Sequence, residues 1–234
     1  MPKCQPMSLT QDLVHLCHRE EQDPGRDGRW TPLSDEDFQT IAAQLDEELG
    51  DAPLWLFAYG SLIWRPDFEA VDKQRATAYG WHRAFSLKIE RWRGSHAQPG
   101  LMMALARGGR CDGVIYRLPE GDRQAQIERL LRREVDSHEM LQSIRWLPVK
   151  TTDGEVRALS FWVGKTERSV TPLLPLPDVA ATLARACGHG GSGAEYLYNT
   201  VVHLEKFGIH DRNLWRLQKM VAAEIRNLHG LCDA

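Results

Sequence analysis

Strand-like runs crowd the middle of this chain, and helical runs close it. Leu54–Ala58 (LWLFA) is short and wholly apolar, as a strand buried on both faces would be. ATAYGW (76–81), AFSLKI (84–89), LMMALA (101–106) and GVIYRL (113–118) follow as further strands. One strong helical stretch runs from about Asp122 to Glu134, and IRWLPV (144–149) and VRALSFWV (156–163) come after it. The remainder reads as helix over roughly 178–187, 192–207 and 213–228. Strands in a block and then helices in a block do not fit the strand–helix alternation of a parallel α/β sheet. They predict an α+β fold whose sheet is closed or strongly curved and flanked by helices.

Residues 1–53 read as a helical extension to a main domain at 54–234. Ser8 is expected to cap a first helix with Leu9, Leu13, Leu16 and Cys17 on one face. Pro24, Gly25, Gly28 and Pro32 then interrupt it. Ser34 opens a second helix, whose stripe is Phe38, Ile41, Ala42, Leu45 and Leu49. Two apolar stripes need a surface to cover, so the extension is expected to dock rather than float.

Composition narrows the partners. The chain has 234 residues, 42% apolar and 26% charged, enough for one domain with an appendage and a sizeable core. A net charge of -3 supplies no basic field, so neither nucleic acid nor a membrane surface is an expected partner. No apolar run approaches the ~20 residues that span a bilayer, and MPKCQPMSLTQDL lacks the apolar core of a signal peptide. Cys4, Cys17, Cys111, Cys187 and Cys232 are odd in number and form no CxxC. This argues against a disulfide framework and a tetrahedral zinc site, and for a cytoplasmic protein with buried or incidental thiols.

Three motif-like stretches lack the context their chemistry needs. GHGGSG (188–193) has G-x-G-x-x-G spacing, but a helical stretch precedes it where a dinucleotide site needs a strand. It reads as a flexible helix–helix turn with Ser192 as cap. His138-Glu139 has no second histidine at H-E-x-x-H spacing. Ser61 is flanked by Tyr59 and Ile63, not by the glycines of a nucleophile elbow.

Two features carry chemistry. Ala58-Tyr59-Gly60-Ser61-Leu62-Ile63 follows the buried strand directly. Gly60 permits φ > 0 or a close backbone approach, and a sharp bend there would leave N–H groups aimed at a carboxylate or an oxyanion. An ordinary strand-ending turn is the alternative. The second feature is Glu134. Ile127, Leu130 and Leu131 form the helix stripe, and Glu134, seven residues from Ile127, is its next position. A carboxylate there is desolvated, which raises its pKa and suits it to general-base work. Alternatively, it lies in a frayed last turn or pairs with an arginine such as Arg145. A third stretch, Ser192 to Asn199, opens with an S-x-x-E capping box that assigns Glu195 to capping. Tyr196, beside its apolar stripe, is placed to present a hydroxyl to a cleft.

FAYGSLIWRPDF (57–68), GWHRAF (80–85), RWRGS (91–95), QPGLMMAL (98–105), RREV (132–135) and EYLYNTVVHLEKFGIHD (195–211), in this order, resemble the ChaC family of glutathione-specific γ-glutamylcyclotransferases, in its bacterial branch. The resemblance implies a γ-glutamylcyclotransferase-like fold, a small mixed β-barrel flanked by α-helices. It implies that Ala58, Tyr59, Gly60, Ser61, Leu62 and Ile63 hold the γ-glutamyl group, that Glu134 is the acid/base, and that Tyr196 contacts substrate. It implies cleavage of glutathione to 5-oxoproline and Cys-Gly without cofactor or metal. Other γ-glutamyl amino acids or γ-glutamyl-amines as substrates, and a non-catalytic binding module, are the alternatives. Relatives often have glycine and an aromatic residue soon after this glutamate, whereas here Val-Asp-Ser-His-Glu-Met-Leu follows. Arg91 and Arg93 are candidate contacts for the terminal carboxylate of Cys-Gly, or else solvated surface charges.

Overall fold

The structure is a computed structural model that describes residues 6–26, 28–162 and 174–231. In chain order its elements are α1 (Gln11–Leu16), α2 (Asp35–Leu49), β1 (Trp55–Ala58), β2 (Asp72–Ile89), β3 (Gly100–Arg117), α3 (Arg123–Glu134), β4 (Ile144–Thr151) and β5 (Gly154–Phe161). After these come α4 (Leu176–Arg185), β6 (Cys187–Gly188), β7 (Gly191–Ser192), α5 (Gly193–Lys206) and α6 (Arg212–Leu228). Short 3-10 turns occupy Ser61–Ile63 and His138–Ser143. The expected α+β class and closed sheet are both present: β1, β3, β2, β4 and β5 neighbour one another in that order around a closed barrel. β1 runs antiparallel to β3 and parallel to β5, which closes the ring at Leu56 and Leu159.

The strands differ from the sequence reading in one respect. ATAYGW and AFSLKI are one strand, β2, and LMMALA and GVIYRL are one strand, β3. The polar stretches between them marked gaps in hydrophobicity, but ladder pairing does not need apolar side chains. Arg107–Arg110 are exposed and still belong to β3, with Gly108 and Gly109 at φ 101° and 73°. The expected end of the last strand, Val163, lies outside the described residues.

Residues group into two units, and the chain passes between them within β2 and β3. One unit comprises, among the described residues, 26, 28–84 and 104–162. Its core holds Phe57, Trp81, Leu105, Ile115, Leu147 and Val149, with Ala76, Ala78 and Ala158 filling the narrower places. Gly113 is required there: a Cβ would meet the Phe57 ring at 2.7 Å and the Ala58 carbonyl oxygen at 2.5 Å. In the same unit α2 packs along α3. Ser34 and Asp37 form the capping box that starts α2, with Phe38, Ala42, Leu45 and Leu49 buried.

The other unit comprises, among the described residues, 6–25, 85–103 and 174–231. Here α1 packs on α5 and α6. Its cap is Thr10, not Ser8, and Val14 is buried while Leu16 is 43% exposed. The helix has only six residues, so Leu16 falls at its frayed end, where the periodic reading no longer holds. GHGGSG forms the β6–β7 hairpin in place of a flexible turn. Gly188 touches the backbone of Trp92 and Gly94 where a Cβ would lie 2.5 Å from both carbonyl oxygens, and Gly190 N–H donates to Trp92 O. Close backbone approach, and not phosphate, explains these glycines. Cys17, Cys111 and Cys187 are buried free thiols; Cys4 and Cys232 lie outside the described residues. No helix among the described residues is long and apolar enough to cross a membrane.

Candidate active site

The barrel unit builds the turn and Glu134. β1 ends at Ala58, fully buried and in register with Val114. Ser160 Oγ donates to Phe57 O at 3.1 Å, and Tyr59 Oη donates to Phe161 O at 2.7 Å, so β5 pins the strand end on which the turn is mounted. The chain then winds into a 3-10 turn: Ile63 N–H donates to Gly60 O at 3.0 Å and Arg65 N–H to Ser61 O at 2.8 Å. Gly60, Leu62 and Ile63 are buried, whereas Tyr59 and Ser61 are half-buried. Gly60 has φ −141°, so a positive φ does not explain this glycine. Backbone N–H groups on so tight a turn suit a carboxylate or a developing oxyanion.

Asp122 caps α3 by accepting from Ala125 N–H at 2.9 Å, and Ile127, Leu130 and Leu131 anchor its inner face. Glu134 ends the helix, and its side chain keeps 22% of its surface. The alternative of a last-turn position with an arginine partner is realised in part. The partner, however, is Arg133, whose Nε donates to Glu134 Oε1 at 2.9 Å. Arg145 instead lies over the rings of Trp81 and Trp162. Arg133 also pairs with Asp67 Oδ2 at 2.6 Å and donates to Arg65 O. It therefore ties the carboxylate to the chain leaving the turn. Burial pushes the Glu134 carboxyl above its ordinary range; Arg133 opposes that rise and Asp67 adds to it.

Arg133 and Asp67 are what sequence reasoning missed. Arg133 lies off the Ile127, Leu130, Leu131 stripe, and only its place in RREV marks it in the sequence. An open cleft of about 420 Å³ lies beside Pro66, Phe68, Val71 and Tyr116. It contains neither Glu134 nor the turn, and burial pushes its Tyr116 hydroxyl up to about 12, so this phenol offers no base at neutral pH.

The other unit holds the remaining candidates. Tyr196 on α5 is only 3% exposed and meets the Phe85 ring edge-on at 5.9 Å. Ser192 does cap α5, accepting from Glu195 N–H at 3.1 Å. The Glu195 carboxylate does not return that contact as a capping box; it pairs with Arg93, which also reaches Ser192 O. A buried guanidinium, 7% exposed, outcompetes a backbone N–H for the anion. Arg91 grips Asp23 through Nε and Nη2, both at 2.6 Å, so neither arginine is a solvated surface charge. His138 and Glu139, in the barrel unit, face Asp37 and Thr31 respectively. Among the described residues no three His, Cys, Asp or Glu side chains gather as metal ligands.

Comparison with known proteins agrees with this architecture. A glutathione-specific γ-glutamylcyclotransferase of Escherichia coli K12 is 35% identical over 176 residues, 75% of each chain. Glutathione-specific γ-glutamylcyclotransferase 1 of Homo sapiens is 32% identical over 165 residues, 68% of this chain and 73% of its own. Among solved structures, a yeast γ-glutamylcyclotransferase specific to glutathione superposes with TM-score 0.64 at 18% identity. That match covers 73% of this chain and 96% of the yeast one, and shows the fold. The family model described as ChaC-like protein matches residues 54–224, from the start of the strand that carries the turn to the last helix, and the chain belongs to that family.

Proposed function

We propose that this chain is a γ-glutamylcyclotransferase that cleaves glutathione to 5-oxoproline and Cys-Gly. The observation that carries the reading is Glu134, a desolvated carboxylate that Arg133 links to the chain leaving the Tyr59–Ile63 turn. The relatives' activity and the yeast fold support it. Residues 54–234 are the catalytic part in this reading, with 1–53 as an extension.

The substrate's α-amine arrives as ammonium and is inert until deprotonated. Glu134 accepts that proton, and the freed nitrogen attacks the γ-carbonyl carbon. The carbonyl π pair moves onto oxygen, where the N–H groups of the turn offset its charge. As the pair returns, the bond to the cysteinyl nitrogen breaks and Glu134 delivers its proton there; it then takes the second proton from the ring nitrogen and passes it to the freed amine, so that 5-oxoproline forms as a neutral lactam and Cys-Gly leaves as an ammonium. Ring closure needs the γ-glutamyl chain folded so that nitrogen meets carbon. Ala58, Tyr59, Gly60, Ser61, Leu62 and Ile63 hold it so in this reading, and orientation supplies much of the acceleration. The scheme consumes no cofactor. Buried free thiols support a cytoplasmic setting: burial pushes Cys17 up to about 11.

A second reading, action on other γ-glutamyl amino acids or amines, draws on Arg91 and Arg93. Both forks already hold carboxylates of this chain, Asp23 and Glu195, and so do not stand ready for the terminal carboxylate of Cys-Gly. Incubation with glutathione, γ-glutamyl-alanine and a γ-glutamyl-amine, with 5-oxoproline measured, separates the two. Glutathione is expected to be preferred. Equal turnover of all three moves the assignment to the broader class, and no 5-oxoproline from any of them refutes both.

A further inference from the structure

A stretch of chain that precedes the family match packs along α3, which ends at Glu134, and pairs with the residues that follow it. On one side α2 lies along α3. Arg132 reaches Asp35 at 2.8 Å and covers the Phe38 ring at 4.5 Å, and Arg123 pairs with Asp46 at 2.9 Å. On the other side, the chain that leaves α3 is paired with residues 31–33. Pro32 and Ser137 form an antiparallel bridge, and His138 N–H donates to Thr31 O at 2.9 Å. The Glu139 carboxylate closes this strap, accepting from Thr31 N–H at 3.1 Å and from Thr31 Oγ1 at 3.0 Å.

A helix end normally frays, because its last carbonyls have no partners within the helix. Glu134 is the last residue of α3, so its depth and direction depend on what grips the next few residues. Val135, fully buried and extended, gives one anchor; the strap grips the four residues that follow. We propose that the Thr31–Glu139 clasp positions the Glu134 carboxylate, and that the extension from Thr31 to Leu49 is thereby part of the catalytic apparatus. Thr31 and Glu139 are positioning residues in this account. It rests on Glu134 being the general base. Glu139 is suited to the part because hydrogen bonds from its own N–H, from Thr31 and from Ser137 keep its carboxyl below the ordinary range and hence charged.

The test uses the full chain with Glu139→Ala, Glu139→Gln and Thr31→Val, assayed on glutathione across pH. Misplacing a catalytic group by ~1 Å costs up to ~10²-fold. A partial release should therefore lower kcat about tenfold in Glu139→Ala while KM stays within about twofold. Water reaching Glu134 weakens the desolvation that raises its pKa, so the acid limb of kcat should move to lower pH. The charged groups facing it, Arg133 and Asp67, are untouched by the substitution. Glu139→Gln retains an acceptor for Thr31 and should restore kcat to within about threefold of wild type. Thr31→Val should lie between these two. Wild-type kcat and an unmoved limb in Glu139→Ala overturn the proposal. So does a kcat loss that follows a fall in melting temperature with the limb unmoved, because that is support of the fold alone. Glu134→Gln run alongside keeps the two readings apart. An inactive Glu134→Gln beside a normal Glu139→Ala removes only the clasp, whereas an active Glu134→Gln removes the general base and the clasp with it.

Discussion

Glu134→Gln is the sharpest perturbation the site offers. Glutamine has nearly the same shape and can still accept from Arg133 Nε, now 2.9 Å from Glu134 Oε1. Arg133 itself is not left unpaired, because Asp67 at 2.6 Å and the Arg65 carbonyl remain. The variant should therefore fold. What it loses is the ability to take a proton, and a positioned general base is worth ~10²–10⁴-fold. At ~1.4 kcal/mol per tenfold, that is about 3–5.5 kcal/mol of barrier. Release of 5-oxoproline from glutathione measures it. Stability supplies an independent check. The folded protein holds the Glu134 proton more tightly than the unfolded chain, where the carboxyl titrates near 4.5. The native state then binds more protons, and stability falls as pH rises from the unfolded value through the raised one. Glutamine has no such titration. Its melting temperature relative to wild type should rise as pH climbs from about 4.5 toward neutrality. Turnover within about threefold of wild type, ~0.65 kcal/mol of barrier, would show that Glu134 is not the base. A pH-independent difference in melting temperature would refute the desolvation argument.

Arg133→Met removes the charge that opposes the raised Glu134 pKa, so the acid limb of kcat should move to higher pH; kcat should also fall roughly tenfold or more as the tie to Arg65 and Asp67 is lost. Glu195→Gln would be mild if the carboxylate only capped α5, but it pairs with buried Arg93, and with Glu195 itself 41% exposed the loss should be ~1–2 kcal/mol in chemical denaturation. Gly113→Ala drives a methyl into the Phe57 ring and the Ala58 carbonyl, so a loss of ~1–3 kcal/mol is expected, with a raised KM because the strain falls where β1 enters the turn. An unchanged melting curve for Gly113→Ala would mean that β1 yields without cost.

What the sequence made legible follows a physical division. Hydrophobic periodicity located β1, α3 and the closing helices, because burial of one face is written directly in residue order. It could not join ATAYGW to AFSLKI. Strand continuity is decided by ladder partners such as Lys150 opposite Thr77, which sit far along the chain. The same limit applies to the site. Glu134 stood out as a carboxylate on an apolar stripe, a signal local to one helix. Arg133 did not, because its importance lies in Asp67 and Arg65, some seventy residues upstream. Glu195 was misread for the same reason: a local S-x-x-E pattern competes with a distant Arg93, and the buried cation takes the carboxylate. The clasp from Thr31 to Glu139 is the extreme case, since both residues look like ordinary surface polar groups until the fold brings them to 3.0 Å. Charges that choose partners across more than a hundred residues leave no periodic trace. The parts of this site that tune Glu134 were therefore the parts that only three dimensions reveal.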